Sequence, residues 1–202
     1  MLPCIITISR EFCTGGHRIA RQLADTLGLP YYDKELITLA AKESGLSEEA
    51  VRQSENKRTG SLLYSLYSMS QELPLTDQVY LAQSKVIRDL ADQGPCVIVG
   101  RCADYVLRER TDCLQVFIHA GMDYRRARLH SQYPELREQE LDARIAKEDK
   151  KRASYYNYYT QRRWGSAGHY HITLDAALGQ DVCVQILTQA ARAFAQNQKV
   201  GG

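Results

Sequence analysis

Short apolar runs alternate with helical patterns along most of this chain. The first run, residues 4–8, is rich in β-branched side chains and precedes a pattern over residues 19–27 in which large apolar side chains recur every four residues. Residues 96–99 and 114–118 form two further runs, and each of them also follows a helical pattern. Short, uniformly apolar strands separated by helices favour a parallel sheet that helices cover on both faces. The pattern therefore predicts a three-layer α/β fold.

Other elements are predicted between these runs. Tyr31-Tyr32 has the character of a short strand that leads into Asp33. Asp33 can serve as the N-cap of a helix over residues 34–44. Residues 79–90 carry apolar side chains at helical spacing, and Gly94-Pro95 ends that helix.

Two segments depart from the alternation. Residues 45–76 are polar and serine-rich and are interrupted by Gly60 and Pro74, so we expect short helices in an insertion rather than part of the sheet. A long polar helix is predicted after Pro134. The final helical pattern is predicted to pack on the core through Val182, Ile186, Ala190 and Phe194.

Length, charge and cysteine content exclude several classes of protein. The chain of 202 residues is long enough for one domain with a sizeable core, and its net charge of +2 gives no argument for nucleic acid as a partner. No apolar stretch approaches the roughly 18 residues of a membrane span, and the N-terminus lacks the pattern of a signal peptide. Six cysteines without a Cys-x-x-Cys pair indicate reduced thiols. We therefore expect a cytoplasmic protein that binds neither membranes nor nucleic acid.

The segment after the first apolar run has the character of a phosphate-binding loop. Residues 9–18 contain Gly15-Gly16 and lead from a strand directly into a helix, whose N-terminal amides and dipole favour an anion. The pattern Gly-x-x-x-x-Gly-Lys-Ser/Thr is not met, because Arg10 stands at its first glycine and Gly16 at its lysine. On the pattern alone, a purely structural turn is an equal alternative.

The order of strands and loops gathers the candidate residues. Ligands of open parallel sheets bind beyond the carboxyl ends of the strands. That rule places residues 9–18, Asp33 and Arg101 around one crevice, since each follows a predicted strand. The alternatives are a helix cap for Asp33 and a surface ion pair for Arg101.

Dense charge and tyrosine mark the long helix after Pro134. Residues 147–152 are all charged, and residues 155–159 contain four tyrosines. Asp149 and Arg152 lie three residues apart and share one helix face. A solvated helix with ion pairs and a basic lid over a phosphate chain both fit this pattern. Stacking on single-stranded RNA fits less well, because packing accounts for most of the tyrosines.

Five segments, taken in order, carry a family resemblance. They are residues 8–16, 32–37, 97–104, 116–120 and 147–156, with Trp164 and a terminal strand around residues 170–174 after them. Together they resemble the cytidylate kinase-like family over nearly the whole chain. Each segment alone is a weak motif, so the resemblance depends on the order of all five segments along the chain.

The resemblance implies a P-loop kinase fold and a reaction. Members are related to nucleoside monophosphate kinases, which use ATP and Mg²⁺ to phosphorylate a nucleoside monophosphate, here CMP or dCMP first. The implied ATP site consists of Ser9, Thr14, Gly15, Gly16, His17 and Arg18. Arg10 or Arg18 would supply the charge of the absent loop lysine, and Ser9 or Thr14 a hydroxyl for Mg²⁺.

The resemblance also implies acceptor-binding and lid residues. The implied acceptor-binding residues are Asp33, Arg101, Asp104 and Lys147. Asp149 and Arg152 would join Arg10 and Arg18 as catalytic residues, with the lid arginine near the transferred phosphoryl group and the aspartate orienting it.

The chain departs from the family pattern at two positions. Ile145 stands where the family has a lid arginine, and Arg144 or Lys147 would replace its charge. Cys102 stands where the family has an acidic residue that reads the base, so the base preference is open.

The resemblance further implies one domain with a parallel central sheet, a helical acceptor-binding insert and a helical lid. The predicted core comprises residues 1–44, 76–134 and 169–196, the insert about 45–75 and the lid about 135–168. Nucleotides are the expected partners, and the oligomeric state is open. The alternatives are a catalytically weak or inactive nucleotide-binding regulator, a kinase of another small metabolite and, last, an RNA-binding module.

Overall fold

A parallel five-stranded sheet lies at the centre of the residues that the computed structural model describes, 4–56 and 73–200. The strands are β1 Ile5–Arg10, β2 Tyr31–Tyr32, β3 Val97–Val99, β4 Cys113–His119 and β5 Ile172–Asp175. Their order in the sheet is β2-β3-β1-β4-β5. Ile8 pairs with Val99 on one side and with Val116 on the other, so β1 is the central strand.

Helices cover both faces of the sheet. They are α1 Gly16–Leu27, α2 Glu35–Ser44, α3 Glu48–Asn56, α4 Leu75–Gln93, α5 Ala103–Val106, α6 Met122–His130, α7 Glu138–Thr160 and α8 Gln180–Val200. α1 and α8 pack on the face that carries Ile6 and Ile8. α2, α4 and α5 pack on the face that carries Ile5 and Ile98. The alternation of apolar strands and helices thus produces the expected three-layer α/β fold.

The N-cap interpretation of Asp33 is wrong. α2 begins at Glu35, and Lys34 occupies its N-cap position without a side-chain capping bond. The Asp33 carboxylate instead accepts hydrogen bonds from Tyr31 and Arg10. Two nearby donors outside the helix therefore hold this carboxylate away from the helix end.

The expected core face of α8 is also wrong in part. Val182 and Ile186 are 43% and 38% exposed, whereas Cys183 and Leu187 are fully buried. Two adjacent apolar stripes run along this helix, each with a four-residue spacing. Periodicity alone could not choose between them, because the choice depends on how the helix is rotated against the sheet.

The two predicted inserts contain helices. α3 lies in the segment expected to bind the acceptor, and residues 57–72 of that segment lie outside the described residues. α7 is a single helix of 23 residues within the expected lid. All six cysteines are free thiols. None of the helices in the described ranges is both long enough and apolar enough to cross a membrane.

Candidate active site

A cleft opens beyond the carboxyl end of β1. The sheet order reverses at β1, which lies between β3 and β4, and this is where open parallel sheets bind ligands. The cleft has a volume of about 280 Å³. Its lining residues are Ser9, Arg10, Gly100, Arg101, Cys102, Glu148, Lys151, Arg152, Tyr155, Tyr156 and Trp164.

Arg10 enters the cleft over two glycines. A Cβ atom on Gly16 would lie 2.9 Å from the Cβ of Arg10, and a Cβ on Gly100 would overlap its guanidinium group. The Arg10 side chain therefore needs a glycine at position 16, where the phosphate-loop pattern has its lysine. Of the two arginines considered as replacements for that lysine, Arg10 is the one that lines the cleft.

Asp33 holds two arginines at the edge of the cleft. Its Oδ1 atom lies 3.5 Å from Nη2 of Arg10 and 3.6 Å from Nη1 of Arg101. Arg101 also donates a hydrogen bond of 2.7 Å to the carbonyl oxygen of Asp33. The Arg101 side chain is only 12% exposed, so the surface ion pair considered for it is wrong.

The turn after β3 has an unusual backbone. Gly100, Arg101 and Cys102 all have positive φ angles, of 76°, 51° and 57°. Non-glycine residues adopt this region at a cost, and consecutive examples concentrate at functional sites. The turn places Arg101 beside Asp33 and the Cys102 thiol in the cleft wall, where burial raises the pKa of that thiol well above its usual value.

Arg152 of α7 completes a cluster of three guanidinium groups in the cleft. It donates a hydrogen bond of 3.4 Å to the carbonyl oxygen of Arg10 and lies over the ring of Phe12. Burial and, next, repulsion by Arg152 lower the pKa of Arg10 to about 10. Burial likewise lowers the pKa of Arg152. Because Arg10 still titrates well above neutral pH, the cleft concentrates positive charge and suits an anion.

The loop between β1 and α1, residues 11–15, is tied to α6 and α7. Asp149 of α7 accepts a 2.7 Å hydrogen bond from the amide of Phe12 and pairs with Arg125 of α6. Glu11 accepts a 3.1 Å hydrogen bond from the amide of Ala120 and lies 3.6 Å from Arg125. Asp149 therefore holds the loop, which differs from the implied role of orienting Arg152.

Main-chain amides of the same loop remain available. In residues 4–56 and 73–200, the amides of Cys13, Thr14 and Gly15 donate to no acceptor. The Thr14 hydroxyl donates to the carbonyl oxygen of Glu11 and accepts from the amide of Gly16, so it braces the loop from within. The free amides lie next to the N-terminus of α1, an arrangement that binds anions.

Arg125 and Arg128 are site residues that the sequence analysis missed. A Cβ atom on Gly15, whose φ is +79°, would lie 2.6 Å from Nη2 of Arg128, so Arg128 rests directly on the loop. Both residues reach the loop because α6 follows β4 and β4 pairs with β1, a neighbourhood that no local sequence pattern shows. Two arginines three residues apart share a helix face, and this face points to the loop.

Several predicted residues lie outside the cleft. His17 and Arg18 are exposed and line a separate depression with Lys34. Lys147 is exposed on α7. Asp104 is 2% exposed and sits behind the cleft wall.

Asp104 supports that wall through two hydroxyl groups. It accepts hydrogen bonds of 2.7 Å from Tyr156 and 3.3 Å from Ser9, both of which line the cleft. Burial raises the pKa of Asp104 above its ordinary value. The carboxylate has almost no exposed surface to offer an acceptor, so the structure gives it a supporting role.

Of the two candidate hydroxyl groups for Mg²⁺, that of Ser9 is more accessible from the cleft than that of Thr14. Thr14 is 1% exposed, and its hydroxyl is used within the loop on both sides. Ser9 lines the cleft, and its hydroxyl donates a hydrogen bond to Asp104. In the described part of the chain, no group of three or more His, Cys, Asp or Glu side chains could hold a metal ion.

Comparison with known proteins identifies the family. The sequence model of the cytidylate kinase-like family matches residues 5–177. No curated protein matches the chain. The solved structure of an uncharacterized protein from Eubacterium ventriosum ATCC 27560 is 25% identical with a TM-score of 0.72, covering 93% of this chain and 98% of that one.

Two solved kinases share the fold at lower identity. A gluconokinase from Sinorhizobium meliloti 1021 is 13% identical with a TM-score of 0.58, covering 100% of this chain and 98% of that one. A shikimate kinase from Bacteroides thetaiotaomicron is 14% identical with a TM-score of 0.53, covering 93% and 97%. The fold is that of P-loop kinases, and the family and fold together support nucleotide-dependent phosphoryl transfer.

Proposed function

Because the chain belongs to the cytidylate kinase-like family, we propose that it transfers the γ-phosphoryl group of ATP to a nucleoside monophosphate, with CMP or dCMP as the first acceptors to test. The observation that carries this proposal is the convergence of Arg10, Arg101 and Arg152 on one cleft. Phosphoryl transfer depends on positioning and on positive charge around the spreading charge of the phosphoryl oxygens. Guanidinium groups from β1, the turn after β3 and α7 supply both.

The loop of residues 11–15 is the proposed site for the β- and γ-phosphates of ATP. Its free amides and the N-terminus of α1 provide donors that face an anion. Arg128 beside Gly15 and Arg10 over Gly16 bring charge to the place where a loop lysine acts. A guanidinium group can bind phosphate oxygens through two nitrogens, so the replacement is chemically sound.

The acceptor phosphate is proposed to bind Arg101 and Arg152. It is already anionic, so its attack on the γ-phosphorus requires no general base. Tyr155 and Trp164 line the same cleft and offer aromatic faces to a base. Cys102 presents a neutral thiol at the position where the resemblance implies an acidic residue that reads the base, so the base preference is open.

α7 is proposed to act as the lid, and the segment of residues 45–75 as the acceptor-binding insert. Asp149 ties α7 to the loop, and Arg152 extends from the same helix into the cleft. One helix therefore closes over both phosphate positions and keeps water from the transferred group. Mg²⁺ bound to ATP would neutralise phosphate charge, and Ser9 is the hydroxyl placed to contact it.

Acceptor-dependent release of ADP tests this proposal. Purified protein is incubated with ATP, Mg²⁺ and each of a panel of nucleoside monophosphates. We expect one acceptor to accelerate ADP release far above the rate without an acceptor. Equal rates with every acceptor and with none would contradict the proposal.

A nucleotide-binding regulator is the second candidate function. This candidate is favoured by Gly16 at the position of the loop lysine and by Ile145 at the position of the lid arginine, since each departure removes one positive charge from the pattern. Tight nucleotide binding without acceptor-dependent ADP release would favour this candidate. If CMP fails and a hydroxyl acceptor succeeds, only the substrate assignment changes, to a kinase of another small metabolite.

A further inference from the structure

Arg144 of α7 carries a guanidinium group that has no part in the site described above. It lies 3.9 Å from the centre of the ring of Tyr133, which belongs to the connection between α6 and α7. In the described part of the chain, the Arg144 side chain forms no ion pair and no hydrogen bond. An arginine stacked on an aromatic face keeps its N–H donors free in the plane of the group. Arg144 is therefore held in place and still has donors for an anion.

Arg144 lies beside the loop of residues 11–15. The next residue, Ile145, is fully buried in an apolar cluster, and Phe12 and Cys13 of the loop pack against that cluster. The charge of Arg144 also reaches the loop. Burial raises the pKa of the Cys13 thiol, and Arg144 is one of four arginines that oppose this rise. The free amides of the loop are therefore close to a cation that has no anionic partner among the described residues.

The side of α7 that faces the cleft continues to Arg144. Glu148, Lys151 and Tyr155 of this helix line the cleft. They lie three and four residues apart, and Arg144 lies four residues before the first of them, so all four share one helix face. Arg144 and Arg152 are eight residues apart, which is about 12 Å along the helix. α7 therefore places one arginine in the cleft and another beside the loop.

We propose that Arg144 contacts the nucleotide phosphates at the loop of residues 11–15, and that the Tyr133 ring positions it for this contact. This inference rests on the proposed binding of the ATP phosphates at that loop. The loop amides bind the phosphate oxygens from one side, and Arg144 binds them from the side of α7. A charge-assisted contact of this kind is about twice as strong as a neutral hydrogen bond. Arg144 thus supplies the charge that Ile145, buried in the apolar cluster, lacks.

The structure favours Arg144 over Lys147, the other residue considered for this charge. Lys147 is exposed on α7, where solvent hydrates and screens its ammonium group. Arg144 is partly buried, and a ring already orients its planar group, so less conformational entropy is lost when it binds an anion. The two residues therefore make different predictions for one measurement.

Isothermal titration with Mg²⁺-ATP and with inorganic tripolyphosphate tests the contact. Arg144→Gln should raise the dissociation constants of both ligands about tenfold, because both carry the phosphate groups. Lys147→Gln and the control Lys150→Gln each remove one positive charge from an exposed position on α7 and should change either constant less than about twofold. The proposal is overturned if Arg144→Gln changes neither constant, if it changes that of ATP alone, or if Lys147→Gln has an equal effect.

Substitutions of Tyr133 test whether the ring positions Arg144. Tyr133→Leu should raise the dissociation constant of ATP about threefold, and Tyr133→Phe, which keeps the ring, should leave it unchanged. In the Arg144→Gln background, Tyr133→Leu should have no further effect, because the ring acts through the guanidinium group. An equal effect of Tyr133→Leu in both backgrounds overturns the positioning role.

These titrations measure nucleotide binding and need no acceptor. If no acceptor accelerates ADP release and Arg144→Gln still weakens binding, the proposed phosphoryl transfer is wrong and the role of Arg144 is supported. If acceptor-dependent release occurs and Arg144→Gln changes neither constant, the role of Arg144 is wrong and the transfer is supported. A wild-type protein that binds neither ligand overturns both.

Discussion

Residues 10 and 16 are linked by space as well as by charge. The Arg10 stem lies where a side chain on residue 16 would project, with 2.9 Å between Cβ positions. A lysine at position 16 and an arginine at position 10 therefore exclude one another in this backbone. The departure from the phosphate-loop pattern is a paired exchange, and the two residues should be studied as a pair.

Gly16→Ala tests this pairing. The added methyl group displaces the Arg10 side chain, and a displacement of about 1 Å at a reacting centre can lower kcat roughly 100-fold. Steady-state release of ADP measures the loss. Gly168→Ala is the control, because a Cβ atom there meets nothing within 4 Å. Equal activity of the two variants would show that Arg10 has no part in the reaction.

Arg101→Lys tests the acceptor site. Lysine keeps the charge and loses the planar fork that contacts Asp33, so the KM for the acceptor should rise about tenfold while the KM for ATP stays near its wild-type value. Arg108→Lys is the control, since Arg108 packs on Tyr105 at the surface. An equal increase of both KM values would place Arg101 elsewhere in the mechanism.

Some site residues could be read from the chain and others could not. Ser9, Arg10 and Arg101 follow strands, so the topology alone brings them to one crevice. Arg18 and Lys147 lie on helices, where the rotation of the helix decides which side chains face the cleft. Arg128 reaches the loop only because β4 lies beside β1, a pairing that no local pattern contains.

Arg125 and Arg126 of α6 both form ion pairs with α7, and these pairs differ in burial. Arg125 and Asp149 are 8% and 18% exposed and hold the loop, whereas Arg126 and Asp142 are 24% and 40% exposed and lie at the surface. Removing one partner of a buried pair leaves an uncompensated charge, while surface pairs contribute little. Substitutions in the two pairs can therefore be compared directly, because both pairs join the same two helices.

Asp149→Asn should destabilise the protein and slow its reaction. The variant removes the nearer of the two carboxylates at Arg125 and leaves Glu11 at 3.6 Å, and we expect a loss of about 2–3 kcal/mol in the free energy of unfolding, together with a lower kcat. Urea denaturation and ADP release measure the two effects. Asp142→Asn is the control on the same helix and should change both far less. A similar response to both substitutions would deny Asp149 its role at the loop.

Tyr156→Phe should weaken the contact between α7 and the sheet in a pH-dependent way. Asp104 loses a buried hydrogen-bond donor, at a cost of about 1–3 kcal/mol at neutral pH. Because the folded-state pKa of Asp104 is raised by burial, the fold favours the protonated form. The cost should therefore shrink as the pH falls through that raised value, because the carboxyl group of the folded protein becomes protonated there and no longer needs a donor for its charge.

Urea denaturation at several pH values measures this effect. Tyr133→Phe is the control, since the Tyr133 ring supports Arg144 and its hydroxyl bonds to nothing in the described residues. A cost for Tyr156→Phe that is constant with pH would exclude Asp104 as the group responsible.

The local pattern of apolar residues predicts the position of a strand or helix where one or both of its faces are buried. The apolar runs of β1, β3 and β4 and the periodicity of α4 were sufficient to place these elements. α8 was placed but rotated wrongly, because its two apolar stripes are equivalent in sequence. The local pattern allows a helix cap for Asp33 as well as a place in the crevice, because its contacts with Arg10 and Arg101, which decide between them, join residues distant in sequence.

At the scale of the whole molecule, the sheet and the helices both supply charge to the site. Arg10 and Arg101 come from the sheet edge, while Arg128 and Arg152 come from α6 and α7. The site therefore depends on how these two helices sit against β1.

Isothermal titration of the protein with ATP and with ADP, each with Mg²⁺, tests the central claim that arginines and loop amides hold the nucleotide phosphates without a lysine. We predict one nucleotide bound per chain and a dissociation constant that rises at least about tenfold in Arg10→Gln, where one charge-assisted contact is lost. Absence of binding heat with both nucleotides, together with no increase in thermal stability at millimolar nucleotide, would contradict the claim.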